Sequence, residues 1–188
     1  MKNRSFVENE EMIQWLLAHG ADPNLAASNG KYTILHRAAQ YAPKPCLKLL
    51  LSAAPKSILP GSHSADVIFH ATTAHKYTPR HDRIPIMQYL LDHGAPVDMV
   101  AGCGKYEDRD ANLIDLWAYG RKTALHWAVE HGQVDVVKFL LDRGADTERK
   151  TWSLTTKSKW ASVEELAEMC GQDAVKEVLV SRTVPKKE

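Results

Sequence analysis

The sequence predicts an all-α protein built from a repeated helical unit, and two recurring phrases carry that prediction. The first phrase reads Trp-Leu-Leu-Ala-His-Gly-Ala-Asp at 15–22 and returns, with small changes, at 89–96 and 139–146. The second phrase, Thr-Ile-Leu-His-Arg-Ala-Ala at 33–39, returns as Thr-Ala-Leu-His-Trp-Ala-Val at 123–129. The glycines at positions 20 and 94 lie 74 residues apart, which is two periods of 37. Self-similarity at such a period is typical of stacked repeat architectures.

The residues that begin and end the phrases are those that begin and end helices. Thr33 and Thr123 are predicted N-caps, because a threonine hydroxyl accepts from the open N–H groups of a first turn. Asp66 is expected to do the same in a degraded copy at 66–72, Asp-Val-Ile-Phe-His-Ala-Thr. Gly144 follows a helix end, where a left-handed residue closes the helix and glycine adopts it without steric cost.

The apolar residues between these signals recur at helical spacing. Val134, Val137, Leu140 and Leu141 form a stripe that a lone helix could not bury, so the unit needs a neighbouring repeat. We expect the first clear helix to run from Asn9 to His19, with Trp15 on its apolar face and therefore in the core. A helix from Cys46 to Ala53 is expected in the second unit, and helices near 162–170 and 173–180 in the last.

Together the two phrases resemble the ankyrin repeat, whose signature is Thr-Pro-Leu-His-x-Ala-Ala, then a leucine-rich second helix and Gly-Ala-Asp. Residues 120–148 match this pattern almost throughout. The resemblance implies an ankyrin-repeat solenoid of stacked antiparallel helix pairs joined by hairpin fingers. It also assigns His36 and His126 to hydrogen bonds within and between repeats.

We divide a single domain at 1–181 into five units, the first partial and the last a cap. A polar insertion at 76–83 separates the two helices of the third unit, and the fourth is entered through an extended connection, Met99 to Tyr119. The unit boundaries are 1–24, 25–60, 61–98, 99–148 and 149–181, followed by a tail at 182–188 that is expected to be disordered.

Composition argues against several classes of partner. Lys and Arg total 24 against 23 for Asp and Glu, and a formal net charge of +1 provides no field for nucleic acid or anionic lipid. Cys46, Cys103 and Cys170 are too widely spaced for a disulfide framework, which favours a reduced, intracellular location, cytoplasmic or nuclear. No segment approaches the roughly 20 apolar residues that cross a bilayer. We expect a monomer.

The motifs of catalysis are missing from the sequence. It has no nucleophile elbow, phosphate-binding glycine loop, dinucleotide fingerprint or zinc-protease helix. The nine histidines lack metal-ligand spacing. The sequence therefore predicts no catalytic residues, no metal and no cofactor, and a chain that is not an enzyme.

The function implied by the resemblance is protein binding through the concave face and the fingers. An alternative is a regulatory or targeting fragment of a larger enzyme or channel, and an enzyme in its own right is a further class that fold alone does not exclude. For Trp127, core filling and partner contact remain equally open, and the 99–119 connection is either a contact loop or a tolerated insertion. The candidate contact residues are Tyr32, Gln40, Tyr41, His70, Tyr106, Trp117, Tyr119, Lys122, Trp127, Glu130 and His131.

Overall fold

The structure, a computed structural model, describes residues 9–26, 32–62, 64, 66–74, 83–101, 122–152 and 160–183. The described chain is helical apart from short extended pieces. Its helices are α1 (Glu10–Ala18), α2 (Ile34–Tyr41), α3 (Lys44–Ala53), α4 (Val67–Thr73), α5 (Ile84–Asp92), α6 (Ala124–Glu130), α7 (Val134–Asp142), α8 (Val163–Met169) and α9 (Asp173–Thr183). Strands β1 (Thr151–Trp152) and β2 (Trp160–Ala161) pair antiparallel.

The helices stack as pairs, which confirms the predicted all-α solenoid. Four pairs follow one another along the chain: α2 with α3, α4 with α5, α6 with α7 and α8 with α9. The first helices pack on one another in order, α2 on α4, α4 on α6 and α6 on α8, while α1 packs on α3. The five unit boundaries and the 1–181 domain extent remain predictions. Helix α9 continues to Thr183, into the segment expected as tail, and 184–188 lie outside the described residues.

The core is the stack of apolar stripes between successive pairs. Leu35, Leu47, Leu90, Leu125 and Leu140 are each wholly or almost wholly buried, and they belong to one continuous cluster. The stripe predicted for α7 therefore does need its neighbours. Removing such area from water is the main force that holds one helix pair to the next.

The expectation that Trp15 belongs to the core is wrong. Its side chain is 57% exposed, and the buried residue of α1 is Ile13. Two positions along a helix correspond to a rotation of about 200°, so Trp15 lies on the face opposite Ile13. The indole stacks instead on the His19 ring, with the ring centroids 3.9 Å apart.

The helix ends follow the predicted local signals. Thr123 caps α6, with its hydroxyl accepting from the His126 N–H while the His126 ring accepts from the Thr123 N–H. Thr33 is likewise the N-cap of α2, and its backbone N–H donates to Nδ1 of His36 over 2.9 Å. The helix-closing glycines Gly20, Gly94 and Gly144 have φ of 84°, 91° and 79°, as left-handed residues.

The capping role expected of Asp66 is not seen. Asp66 stands at the N-cap position of α4, but its carboxylate makes no capping hydrogen bond. The carboxylate accepts instead from the ring of His36 in the preceding helix pair, 2.7 Å away. The backbone of Asp66, with φ −91° and ψ 20°, also lies outside the extended region that a capping residue usually adopts.

A buried arginine ties the third unit to the second. Arg83, just before α5, donates from Nη1 to the carbonyl oxygen of Ala42 over 2.9 Å and from Nη2 to that of Ala38 over 3.0 Å. It also donates to Ala39. These carbonyls lie in the last turn of α2, where the final carbonyl groups of a helix lack partners within it, although that of Ala38 also accepts from the Ala42 N–H. Arg83 therefore caps a helix more than 40 residues away.

Candidate functional site

The first helices of the pairs lie side by side, and we call their solvent-accessible side the first-helix face. Its exposed or half-buried polar side chains come from α2, from the end of α6 and from α8. Helix α4 contributes almost nothing, because Val67 to Thr73 are all buried. The side chains of the face are Arg37, Tyr41, Glu130, His131, Glu164, Glu165 and Glu168.

Four of the predicted contact residues have little surface to offer a partner. Gln40, His70, Lys122 and Trp127 are only 8%, 6%, 3% and 5% exposed. The Gln40 side-chain amide donates to the Thr73 hydroxyl over 2.8 Å. Of the two roles open for Trp127, this burial supports core filling. Two of them, Lys122 and Trp127, contact accessible residues of the face.

Lys122 and Trp127 hold the two accessible residues at the end of α6. The Lys122 ammonium pairs with the Glu130 carboxylate. The Trp127 indole stacks on the His131 ring with the centroids 4.2 Å apart, and Nδ1 of His131 lies 2.9 Å from the Trp127 carbonyl oxygen. The Phe69 and Trp127 rings meet in a T-shaped contact, with their centroids 5.5 Å apart.

The stacked ring pair recurs and was missed from the sequence. Trp15 and His19 repeat it at the end of α1, and Tyr89 and His93 form a tilted version at the end of α5, with 39° between the ring planes. In each, the histidine Nδ1 lies 2.7 Å from the carbonyl of the aromatic residue four positions earlier. The available signal was an aromatic residue four positions before the His-Gly dipeptide.

At the other end of the face, α2 presents a stacked cation. The Arg37 guanidinium carbon lies 4.9 Å from the centroid of the half-buried Tyr41 ring, a cation–π geometry. Tyr32, also half-buried, is directed edge-on towards His36 and His70. Arg37 was not among the predicted contacts, although it occupies the same variable signature position as Trp127.

The remaining candidates lie beyond what the structure describes. Tyr106, Trp117 and Tyr119 belong to the 102–121 segment, of which only the flanks are described. Those flanks are joined, because the Ala101 N–H donates to the Lys122 carbonyl oxygen over 3.0 Å. The connection therefore leaves and re-enters the stack at one place.

The charge of the face changes along the stack. Helix α2 contributes the exposed cation Arg37, whereas α8 contributes the exposed carboxylates Glu164, Glu165 and Glu168. Two of these lie in the first turn of α8, where negative charge suits the helix dipole. A partner with a complementary charge pattern would be oriented by this difference.

A buried cluster of ionisable groups lies beneath the face between α2 and α4. Nε2 of His36 is 2.7 Å from Oδ1 of Asp66, and Nε2 of His70 is 3.6 Å from Oδ2. Burial raises the pKa of the Asp66 carboxyl, but the hydrogen bond from His36 and the nearby His70 ring outweigh it and hold this pKa well below its ordinary value. Burial lowers the pKa of His70, and the Asp66 carboxylate opposes that shift without cancelling it.

The equivalent histidine of the fourth unit has a neutral partner. Nε2 of His126 lies 2.8 Å from the Arg149 carbonyl oxygen, and Nδ1 accepts from the Thr123 N–H. Burial lowers the pKa of His126 to about 4. The bonds of His36 and His126 within and between repeats are thus confirmed, with a carboxylate as acceptor at the first and a carbonyl at the second.

The cluster does not fit a metal ion, although its nitrogen and oxygen atoms all lie within 4.8 Å of one another. A metal-bound histidine donates its second ring N–H to an acceptor. Here Nδ1 of His36 already accepts from the Thr33 N–H, so Nε2 carries the proton and has no lone pair for a metal. The absence of a metal site remains a prediction, which this hydrogen bonding supports.

Within the described ranges, no helix is both long and apolar enough to cross a membrane.

Two family models match the sequence. A model described as ankyrin repeats in three copies matches residues 56–151, and another, described as ankyrin repeats in many copies, matches residues 8–51. A search of curated proteins found no match to the chain.

Proposed function

The chain belongs to the ankyrin-repeat family, and we propose that it is a protein-binding scaffold whose contact surface is the first-helix face. Ankyrin repeats are generally protein–protein interaction modules. The observation that carries the proposal is that accessible residues of this face are held by ring contacts or an ion pair. A surface ordered before binding loses less conformational entropy when the partner arrives.

The support is a set of paired contacts. Arg37 lies over the Tyr41 ring, His131 stacks on the buried Trp127, and Glu130 is fixed by the buried Lys122. Arginine and tyrosine are among the residues that most often carry binding energy at protein interfaces. We therefore assign the strongest contacts to Arg37 and Tyr41, with His131 as a further contact at the end of α6.

The charges favour one kind of partner. Arg37 suits a carboxylate or a phosphate group on the partner, and the glutamates of α8 suit a basic segment further along it. The proposal includes no enzymatic step. It also includes no nucleic-acid or lipid partner, because the formal net charge is only +1. It places the chain inside the cell, in the cytoplasm or nucleus, as a monomer.

Charge reversal on the face tests the proposal. We expect Arg37→Glu to weaken capture of the principal partner at least ten-fold, because an arginine that carries binding energy at an interface is worth about 2 kcal/mol or more. Affinity purification with quantitative mass spectrometry measures the loss. Lys138→Glu is the matched control, because Lys138 is an exposed cation on the second helix α7. Equal recovery with Arg37→Glu and with the unchanged protein would show that the first-helix face is not the contact surface.

A further inference from the structure

We propose that the His36–Asp66–His70 cluster is a proton-sensitive joint: uptake of a proton under mildly acidic conditions separates α2 from α4 and disrupts the first-helix face. The separation of α2 from α4 does not depend on the proposed function. Its consequence for binding rests on the proposed function, because α2 carries Arg37 and Tyr41.

The first observation is that both ring nitrogens of His36 are engaged in hydrogen bonds. Its Nδ1 accepts from the Thr33 N–H over 2.9 Å, so the single ring proton is on Nε2 and is donated to Asp66. A second proton on this ring would remove the acceptor that caps α2. The Thr33 hydroxyl lies 2.6 Å from that of Ser64, so the two helix starts are also linked there.

The second observation is that His70 is the available proton acceptor and is poorly placed to become charged. It is 6% exposed, and its ring is surrounded by the rings of Tyr32, His36 and Phe69, with centroids 5.4, 4.6 and 5.7 Å away. An imidazolium there loses its hydration, and among the described residues the compensating charge is the Asp66 carboxylate, with its nearest oxygen 3.6 Å away.

The charged groups around the ring give the sign of the effect. From α2 the positive charge of Arg37, and of His36 if protonated, opposes a charge on His70, whereas Asp66 from the start of α4 favours it. Burial is the largest influence, and the pKa of His70 is lowered from its ordinary 6.5. An opened joint therefore binds the proton more tightly than a closed one. The closed joint is fully stable above about pH 6.5 and loses stability as the pH falls below it.

What distinguishes this joint is the ionised acceptor. Between α6 and the following unit the same signature histidine, His126, bonds to a backbone carbonyl. Burial also lowers the pKa of His126, so the contact between α6 and the following unit has its own response to acid. A substitution at His70 should leave the His126 response unchanged. The two contacts can therefore be distinguished in one molecule.

Hydrogen exchange of the full chain, corrected for the intrinsic rate at each pH, tests the joint. We expect protection of the α2 and α4 amides to fall by up to ten-fold per pH unit below about pH 6.5, the slope for one proton. His70→Gln should flatten this slope in α2 and α4 while leaving that of α6 and α8 as it was. A slope retained in the variant, or no slope in the unchanged protein, overturns the proposal.

A measurement without substitution guards against a variant that folds poorly. The NMR signals of the His70 ring should titrate with a midpoint below about 6.5 in the unchanged chain, and a midpoint at or above that value contradicts the joint. Capture of the partner at pH 7.5 and 5.5 tests the consequence. Binding should weaken at the lower pH for the unchanged chain and less for His70→Gln. Equal pH dependence of capture in both proteins would overturn the link to binding. Hydrogen exchange tests the joint independently, even if no partner binds the first-helix face.

Discussion

Replacing Leu140 with alanine is expected to lower the free energy of unfolding by about 2 to 5 kcal/mol. Leu140 is fully buried in α7 and belongs to the continuous apolar cluster. The substitution removes apolar contact and leaves a cavity that the neighbouring helices fill only in part. Because α7 packs on both α6 and α9, the loss reaches two successive helix pairs.

Chemical denaturation followed by circular dichroism measures this change. Lys138→Ala is the matched control on the same helix, since Lys138 is exposed and its loss should cost little. The m-value should be the same in both variants and in the unchanged chain. A loss well below about 1 kcal/mol for Leu140→Ala lies outside the range of core truncations and would contradict the assignment of Leu140 to the core.

Replacing Gly102 to Leu116 with a short finger is expected to abolish capture of the principal partner while leaving the unfolding midpoint nearly unchanged. Ala101, just before the replaced part, and Lys122, six residues after Leu116, are already joined by a backbone hydrogen bond. A shorter connection can therefore span them without moving the helices. Long insertions in a repeat array often lie on the binding face, and this one carries Tyr106, with Trp117 and Tyr119 just after the replaced part.

The same experiment decides between the two roles considered for the connection. Affinity purification with the shortened and the full-length chain, at matched concentrations, gives the recovery of the partner. If the shortened chain retrieves the same partner with equal affinity, the connection is a tolerated insertion. The first-helix face would then account for the binding alone.

The features that could be predicted from sequence are those fixed by local signals. The first helix was expected from Asn9 to His19, and these two residues are its caps in the structure. Helix α3 begins at Lys44, two residues before the predicted Cys46, because Pro45 is acceptable in a first helical turn. Caps, glycines and apolar spacing act over a few residues, so one sequence is enough to read them.

The features that could not be predicted depend on neighbours distant in the chain. Trp15 is exposed because α1 packs on α3 through its other face. The Asp66 carboxylate does not cap α4 and instead accepts from His36, 30 residues earlier in the chain. Burial of His70 and Gln40 likewise depends on how closely α2 and α4 pack, and no local pattern in the sequence states that distance.

The central claim, that a partner protein binds the first-helix face, is tested most directly by hydroxyl-radical footprinting of the complex with the captured partner. The account predicts that Tyr41 and His131 become protected, while the accessible second-helix residues Tyr89 and Phe139 react as in the free chain. Protection at Tyr89 and Phe139 with none at Tyr41 and His131 would place the partner on the opposite side of the stack and contradict the account.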